Sequence, residues 1–295
     1  MVFRRRLTSE ALEVMNTHPL TRAILEKVAS SDELDLHLRG TYVDVYFAGF
    51  NVFQIKPSTR TIRLGSDSET KARPHPWTHK WMPFEAVDPT DIPSSIEWVK
   101  QQRAAKLVGR ESEFEFKVIL DSRHADAPVL VLDRQIVQPG WSMRLDLLLY
   151  DTEAERLVLA ELKLLSNKEV AGDVFEQLLG YQGLMANNPL IPATYPHIFE
   201  QKSALGLVAH DLPGIRVDRP PLLLYLLGGY AGAQKSLGKV ERLRKAVEHK
   251  KKRFSTLRVH THAFGDFKNE SCTLPSILSL PLFEEWAERE LRRDR

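Results

Sequence analysis

One cysteine, Cys272, stands in a chain of 295 residues. That excludes an intrachain disulfide framework and any zinc site built on several cysteines. Apolar runs are short: the longest, such as LLLYLL at 222–227, stop after six residues, far below the roughly 20 needed for a bilayer-spanning helix. The N-terminal MVFRRRLTSEALEV has positive charge with no apolar stretch behind it, so no secretory signal is expected, and a cytoplasmic address without membrane association fits. Neither sign of charge dominates. Forty-one Lys and Arg against 39 Asp and Glu leave a net charge of +2, so the chain as a whole is not a polycation. There is no internal repeat and no low-complexity segment. The P-loop pattern G-x-x-x-x-G-K-S/T is missing as well, so any use of ATP would belong to a partner ATPase.

What is present is ordinary for a globular protein: 43% hydrophobic and 27% charged residues, enough chain for one large domain or two smaller ones. Residues 8–29 read as helical, in two pieces broken near THPLT. The stretch LDLHLRGTYVDVYFAGFNVFQIKPSTRTIRLG then changes character, with Val-, Tyr-, Phe- and Ile-rich runs separated by RG, AGFN and KPST. It predicts three or four antiparallel strands. Residues 66–95, with Pro74, Pro76, Pro83, Pro89 and Pro93, read as an irregular connection. The expected division is therefore a β-rich module with a leading helix over 1–95 and an α/β domain over 96–295. In the second part SIEWVKQQRAAKLV and RESEFEFKVILDS predict helices, the latter with a capping box of Ser112 and Glu115. APVLVLDRQIV, SMRLDLLLYD and RLVLAELKLL predict strands, the last two as a hairpin. EVAGDVFEQLLGYQGLMANN predicts a helix, SALGLVAH, PPLLLYLL and TLRVHTHAF further strands, and PLFEEWAERELRR a C-terminal helix. PPLLLYLL, apolar on both faces, suits a central strand.

Charges inside the apolar strands carry the chemistry. Glu161 and Lys163 interrupt VLAELKLL, two residues apart and so on one face. Asp146 interrupts the neighbouring MRLDLLLYD. A buried charge without a partner costs several kcal/mol. If the hairpin brings the three groups together, the two carboxylates repel each other, and a divalent cation supplies a reason for both to stay ionised. Mg²⁺ (or Mn²⁺) suits carboxylate and water ligands with positions left open for a phosphate. Lys163 would then hold or activate the attacking water, or stabilise charge in the transition state. This is chemistry for phosphodiester hydrolysis.

The pattern Asp146, 14 residues, then Glu161-x-Lys163 across two paired strands resembles the PD-(D/E)xK nuclease superfamily. Gln177 to Tyr181, QLLGY, has the Q-x-x-x-Y form of its RecB-like branch, one helix later. The resemblance implies a restriction-endonuclease-like mixed sheet flanked by helices. It implies metal held by Asp146, Glu161 and the Leu162 carbonyl, and a site supported by Gln177 and Tyr181, four apart on one helix face. It also implies a glutamate on the preceding helix, where Glu111, Glu113 and Glu115 are candidates and Glu115 is preferred. Leu145, rather than proline, precedes Asp146.

Between Lys239 and Arg253, KVERLRKAVEHKKKR holds eight Lys or Arg against two Glu. Beside a nuclease core this predicts a helix contacting phosphates through Lys239, Arg242, Lys245, Lys250, Lys251, Lys252 and Arg253. Arg39, Tyr42, Tyr46 and Phe47 are residue types that stack on bases, or equally fill a hairpin core. His75 and His79 have the spacing of helical zinc ligands but flank Pro76 and read as loop histidines. His260 and His262 share a strand face. The expected function is metal-dependent cleavage of nucleic acid, DNA favoured over RNA, in defence or repair. The alternative is a nuclease-fold binding or scaffold subunit active only within an assembly. Whether the chain forms a homo-oligomer stays open.

Overall fold

The computed structural model describes residues 5–65, 80–103, 111–137, 144–167, 173–229, 241–246, 259–264 and 269–280, with a few positions beside them. Among these residues it is mixed α/β, with two five-stranded sheets. Two compact units divide the chain: Met1–Val108, Arg123–Ala125 and Ala193–Gly214 make one, and Gly109–Ser122, Asp126–Pro192 and Ile215–Arg295 the other. The first unit thus runs past residue 95, and the chain returns to it at 123–125 and 193–214. No helix among the described residues is long and apolar enough to cross a membrane.

The first unit begins with α1 (Ser9–Thr17) and α2 (Pro19–Ala29). Pro19 disfavours helical backbone at His18, which is extended (φ −74°, ψ 132°) and accepts the Leu20 N–H at 3.2 Å through Nδ1. The break expected at THPLT therefore lies at one residue. Strands β1 (Leu34–Leu38), β2 (Val43–Phe47), β3 (Phe50–Lys56), β4 (Thr61–Leu64) and β5 (Met82–Pro83) form an antiparallel meander in that order. Ala48 and Gly49, at φ 48° and 85°, close the two-residue loop between β2 and β3, the backbone a tight hairpin requires. Helix α2 packs on β1, and α3 (Ile92–Arg103) on β3. The far segment of this unit carries α6 (Tyr195–Ala204). The strand expected over SALGLVAH is not there. Ser203 and Ala204 end α6, and Gly206 takes a left-handed conformation (φ 69°) while Leu207 N–H bonds back to Lys202 O at 3.0 Å. The glycine terminates a helix.

In the second unit α4 (Glu111–Asp121) precedes β6 (Val129–Val137), β7 (Arg144–Asp151) and β8 (Arg156–Leu164), then α5 (Val174–Asn187), β9 (Leu222–Gly228) and β10 (Val259–Phe264). The sheet order is β10-β9-β8-β7-β6. Strands β6, β7 and β8 are antiparallel neighbours, while β9 runs parallel to β8 and β10 parallel to β9. The hairpin expected of β7 and β8 is formed, and β9 is an interior strand between β10 and β8, one place from the centre. One face packs Leu147, Leu149, Val158, Ala160, Leu162 and Leu164 against Phe114, Val118 and Ile119 of α4. Tyr225 stands opposite Glu161 in the ladder. Its ring meets Phe175 of α5 edge-on at 5.8 Å, so α5 covers the other face. Ser112 lies inside α4 and not at its cap. The described positions at 285, 287–289 and 292 are helical, as expected of the C-terminal segment.

A buried carboxylate, Asp151, holds one end of this sheet. Its oxygens accept from Glu153 N (3.1 Å), Ala154 N (2.9 Å), Ser276 Oγ (3.2 Å) and Ile277 N (2.6 Å). It shapes the β7–β8 turn and pins residues 276–277 beside it. Asp151→Ala strands these donors and is expected to destabilise the fold by about 3 kcal/mol, read as a lower urea midpoint. A change below about 0.5 kcal/mol would show this carboxylate to be dispensable.

Candidate functional site

The site begins where two strands part. Pairing between β7 and β8 runs from Asp151↔Arg156 to Leu147↔Ala160 and ends there, one residue short of Asp146 and Glu161. Strand β7 stays with β6 out to Val137↔Arg144. The Leu162 N–H, left without a strand partner on that side, donates to Asp146 Oδ2 at 2.9 Å. In an extended chain the N–H and C=O of one residue face the same edge, so the Leu162 carbonyl faces the same opening.

Three carboxylates surround one ammonium there. Lys163 Nζ lies 3.9 Å from Glu111 Oε2, 3.9 Å from Asp146 Oδ2 and 3.9 Å from Glu161 Oε2. These separations allow ion pairing but exceed hydrogen-bond length. Exposure is graded: the Glu161 side chain is 2% exposed, Lys163 13%, Asp146 17% and Glu111 36%. Water therefore reaches the cluster from the Glu111 side, and Glu161 forms its floor. With all groups ionised, three carboxylates against one ammonium leave two negative charges uncompensated. Glu161 bears the consequence. Burial, reinforced by the Asp146 charge, pushes its carboxyl up to about 9, against a smaller downward pull from Lys163. Its Oε1 is buried without a hydrogen bond among the described residues.

Helix α4 supplies two glutamates with different partners. Glu111 Oε1 accepts from Leu164 N at 3.3 Å and from the Asn167 side-chain amide, leaving Oε2 toward Lys163. Glu115, one turn later, forms a buried two-point pair with Arg134, Nε to Oε1 at 3.1 Å and the second nitrogen to Oε2 at 3.0 Å. Burial raises its pKa, and Arg134 pulls it back. Of the three glutamates left open by the sequence, Glu111 is the one set against Lys163. Glu115, the preferred candidate, lies behind it, near enough for the Asp146 charge to act on it. Tyr181 is buried on α5 and donates to Ile136 O at 3.3 Å. Burial and the Glu161 charge raise its phenol pKa. Gln177, one turn earlier, is half-buried, and its side chain makes no hydrogen bond among the described residues.

Residues 241–246 are helical within the basic stretch. Arg242 donates through Nε to Gly238 O at 3.1 Å, and Lys245 is exposed, 3.7 Å from Glu241. Lys252 is exposed too. Lys239, Lys250, Lys251 and Arg253 lie outside the described residues, as do His75 and His79. Arg39 and Tyr46 both bond Asp44, and Phe47 is buried, so these serve the hairpin core. Burial pushes His262 down to about 4 and Cys272 up to about 12.

Sequence reasoning missed Arg134, Asn167 and Tyr225. Arg134 had a signal, since it is a charge within the apolar VLVLDRQIV just as Asp146 is within its own strand. Asn167 follows β8 in a turn and Tyr225 meets Glu161 across a parallel pair, and neither relation shows in local sequence.

The donor set suits a cation of modest protein coordination. Among the described residues no group of three or more His, Cys, Asp and Glu forms a metal cage. Asp146 and Glu161 with one main-chain carbonyl fit an ion that keeps several waters, as Mg²⁺ does, and the bare Glu161 Oε1 is a free donor for it. Comparison with protein-family models, with curated proteins and with solved structures finds no match.

Glu161 keeps its proton up to about pH 9 in the folded chain and loses it near pH 4.5 once unfolded. The folded state binds the extra proton between those values, so its stability falls as pH rises through that window. In EDTA the thermal midpoint should fall between about pH 5 and pH 9, and Glu161→Gln should flatten the slope. Equal slopes in both proteins would remove Glu161 as the cause.

Proposed function

We propose that the second unit is a metal-dependent nuclease that hydrolyses phosphodiester bonds, with DNA as the favoured substrate. The observation that carries this reading is the single ammonium of Lys163 held 3.9 Å from each of Glu111, Asp146 and Glu161 where β7 leaves β8. A purely structural ion pair needs one acid for one base. Here the surplus of negative charge calls for a divalent cation. The resemblance of Asp146, Glu161 and Lys163 to the PD-(D/E)xK pattern, on a mixed sheet flanked by α4 and α5, supports the same reading and a restriction-endonuclease-like architecture.

Asp146, Glu161 and the Leu162 carbonyl would hold Mg²⁺ or Mn²⁺, and the bound ion would polarise the phosphodiester and lower the pKa of a coordinated water. The chain does the rest. Lys163 donates to the attacking water and to the phosphoryl oxygen as negative charge grows there. Glu111, fixed by Leu164 N and Asn167, keeps that ammonium over the opening. Asp146, tied to Leu162 N, stays oriented. Tyr181 braces β6 from α5 through Ile136 O, and Gln177 faces the same way for a substrate phosphate. Arg242, Lys245 and Lys252 add phosphate contacts that position the substrate without reading its sequence.

Purified protein incubated with linear, supercoiled and single-stranded DNA, and with RNA, should cleave in Mg²⁺ or Mn²⁺ and not in EDTA. Lys163→Ala and Asp146→Ala should each lower the rate by about 100-fold or more. Cleavage that persists in both variants would reject the site. Binding without cleavage by the wild type would favour a nuclease-fold binding subunit.

A further inference from the structure

We propose that the β3–β5 end of the first unit's sheet binds single-stranded nucleic acid, with a base stacked on Trp81 and phosphates held by Lys56 and Arg63. Lys56 Nζ lies 4.1 Å and the Arg63 guanidinium carbon 4.6 Å from the centroid of the Trp81 ring. All three side chains are partly exposed. The register explains their meeting. Gln54 pairs with Arg63, and Ile62 with Met82, which sets Trp81 beside Arg63 on the face that Lys56, two residues after Gln54, shares.

Two features distinguish this cluster from an ordinary surface stack. First, no carboxylate among the described residues compensates its charge. Among the described residues neither Lys56 nor Arg63 has a carboxylate partner. The exposed Glu85, close along the chain, pairs with neither. Asp44, the acid nearest in the strand register, is occupied by Arg39, Tyr46, Asn51 and Gln54. Second, the arginine is already oriented. Its Nε donates to Gln54 Oε1 at 2.7 Å, its terminal nitrogen reaches the same oxygen, and the Gln54 amide is itself anchored on Asp44 at 3.0 Å. A neutral amide holds the guanidinium in place and leaves its charge unspent.

The complementary partner carries negative charge and flat aromatic groups in alternation. An acidic peptide would meet the two cations and leave the indole idle. A duplex keeps its bases stacked inside. A single strand offers both a base face and phosphates, the combination that aromatic and basic sheet surfaces take up. Such contacts grip the backbone and tolerate any sequence. This inference stands apart from the cleavage site, since it concerns binding by the other unit and needs no metal.

The test is fluorescence anisotropy of labelled oligo-dT and oligo-U, about 15 nucleotides long, with the full chain in EDTA so that no metal-dependent cleavage intrudes. Trp81→Ala should weaken binding about tenfold, with Trp81→Phe retaining most of it. Lys56→Gln and Arg63→Gln should each lower the dependence of log affinity on log salt by about one unit. An unlabelled duplex of equal length should compete at least tenfold less well than the single strand. Wild-type affinity in Trp81→Ala, competition by duplex equal to that of single strand, or displacement as effective by polyglutamate would each overturn the proposal. Should Trp81→Ala misfold by circular dichroism, the phenylalanine variant and the two charge variants decide it. Because only binding is read, failure here and failure of the nuclease reading are separate results.

Discussion

A charge imbalance in a sheet interior organises the second unit. Among the described residues Lys163 is the one cation paired with Glu111, Asp146 and Glu161, at equal distance, and one ammonium cannot neutralise three carboxylates. The deepest of them responds by holding a proton, with its carboxyl pushed up to about 9. Protonation and a divalent cation are alternative answers to one electrostatic problem. The strand fork at Leu147↔Ala160 is what lets either one in. Continued pairing would have closed Asp146 over Glu161 and turned the Leu162 N–H to the β7 backbone.

Other buried acids show what balance looks like. Asp151 accepts four hydrogen bonds, and Asp44 receives Arg39, Tyr46, Asn51 and Gln54. Glu115 is met at both oxygens by Arg134. Each of these carboxylates is spent on structure, and removing one strands its donors. Glu161 differs, because one oxygen makes no hydrogen bond among the described residues and its charged neighbours include another acid, Asp146. A satisfied buried charge stabilises a fold. An unsatisfied one in an opening is a candidate for chemistry.

The same contrast governs the first unit. His37, buried against Asp35, is pushed down to about 3 by burial and is part of the interior at neutral pH. At the other end of the sheet, Lys56 and Arg63 lie over the Trp81 ring with no carboxylate partner among the described residues. Residue types alone offered Arg39, Tyr42, Tyr46 and Phe47 either for stacking on bases or for a hairpin core. Burial and the bonds to Asp44 place Arg39, Tyr46 and Phe47 in the core, and the partly exposed cluster is Lys56 on β3, Arg63 on β4 and Trp81 just before β5.

Local pattern was enough for much of the architecture. The THPLT break, the strand run from Leu34 to Leu64, the β7–β8 hairpin and the convergence of Asp146, Glu161 and Lys163 all follow from residues close in sequence, where side-chain period and short connections set the geometry. Relations across long separations were illegible. The choice of Glu111 over Glu115 depends on how far α4 has rotated on the sheet and on Arg134, 23 residues beyond Glu111, claiming the second glutamate. SALGLVAH has an apolar content that suits a strand, yet it begins inside α6, and Gly206 ends that helix with a left-handed residue and the Leu207 N–H bonded back to Lys202 O. The amino-acid order thus specified which charges would share a face. Packing decided which of them found partners, because burial, register and the fork between β7 and β8 are properties of the assembled sheet and of no single segment.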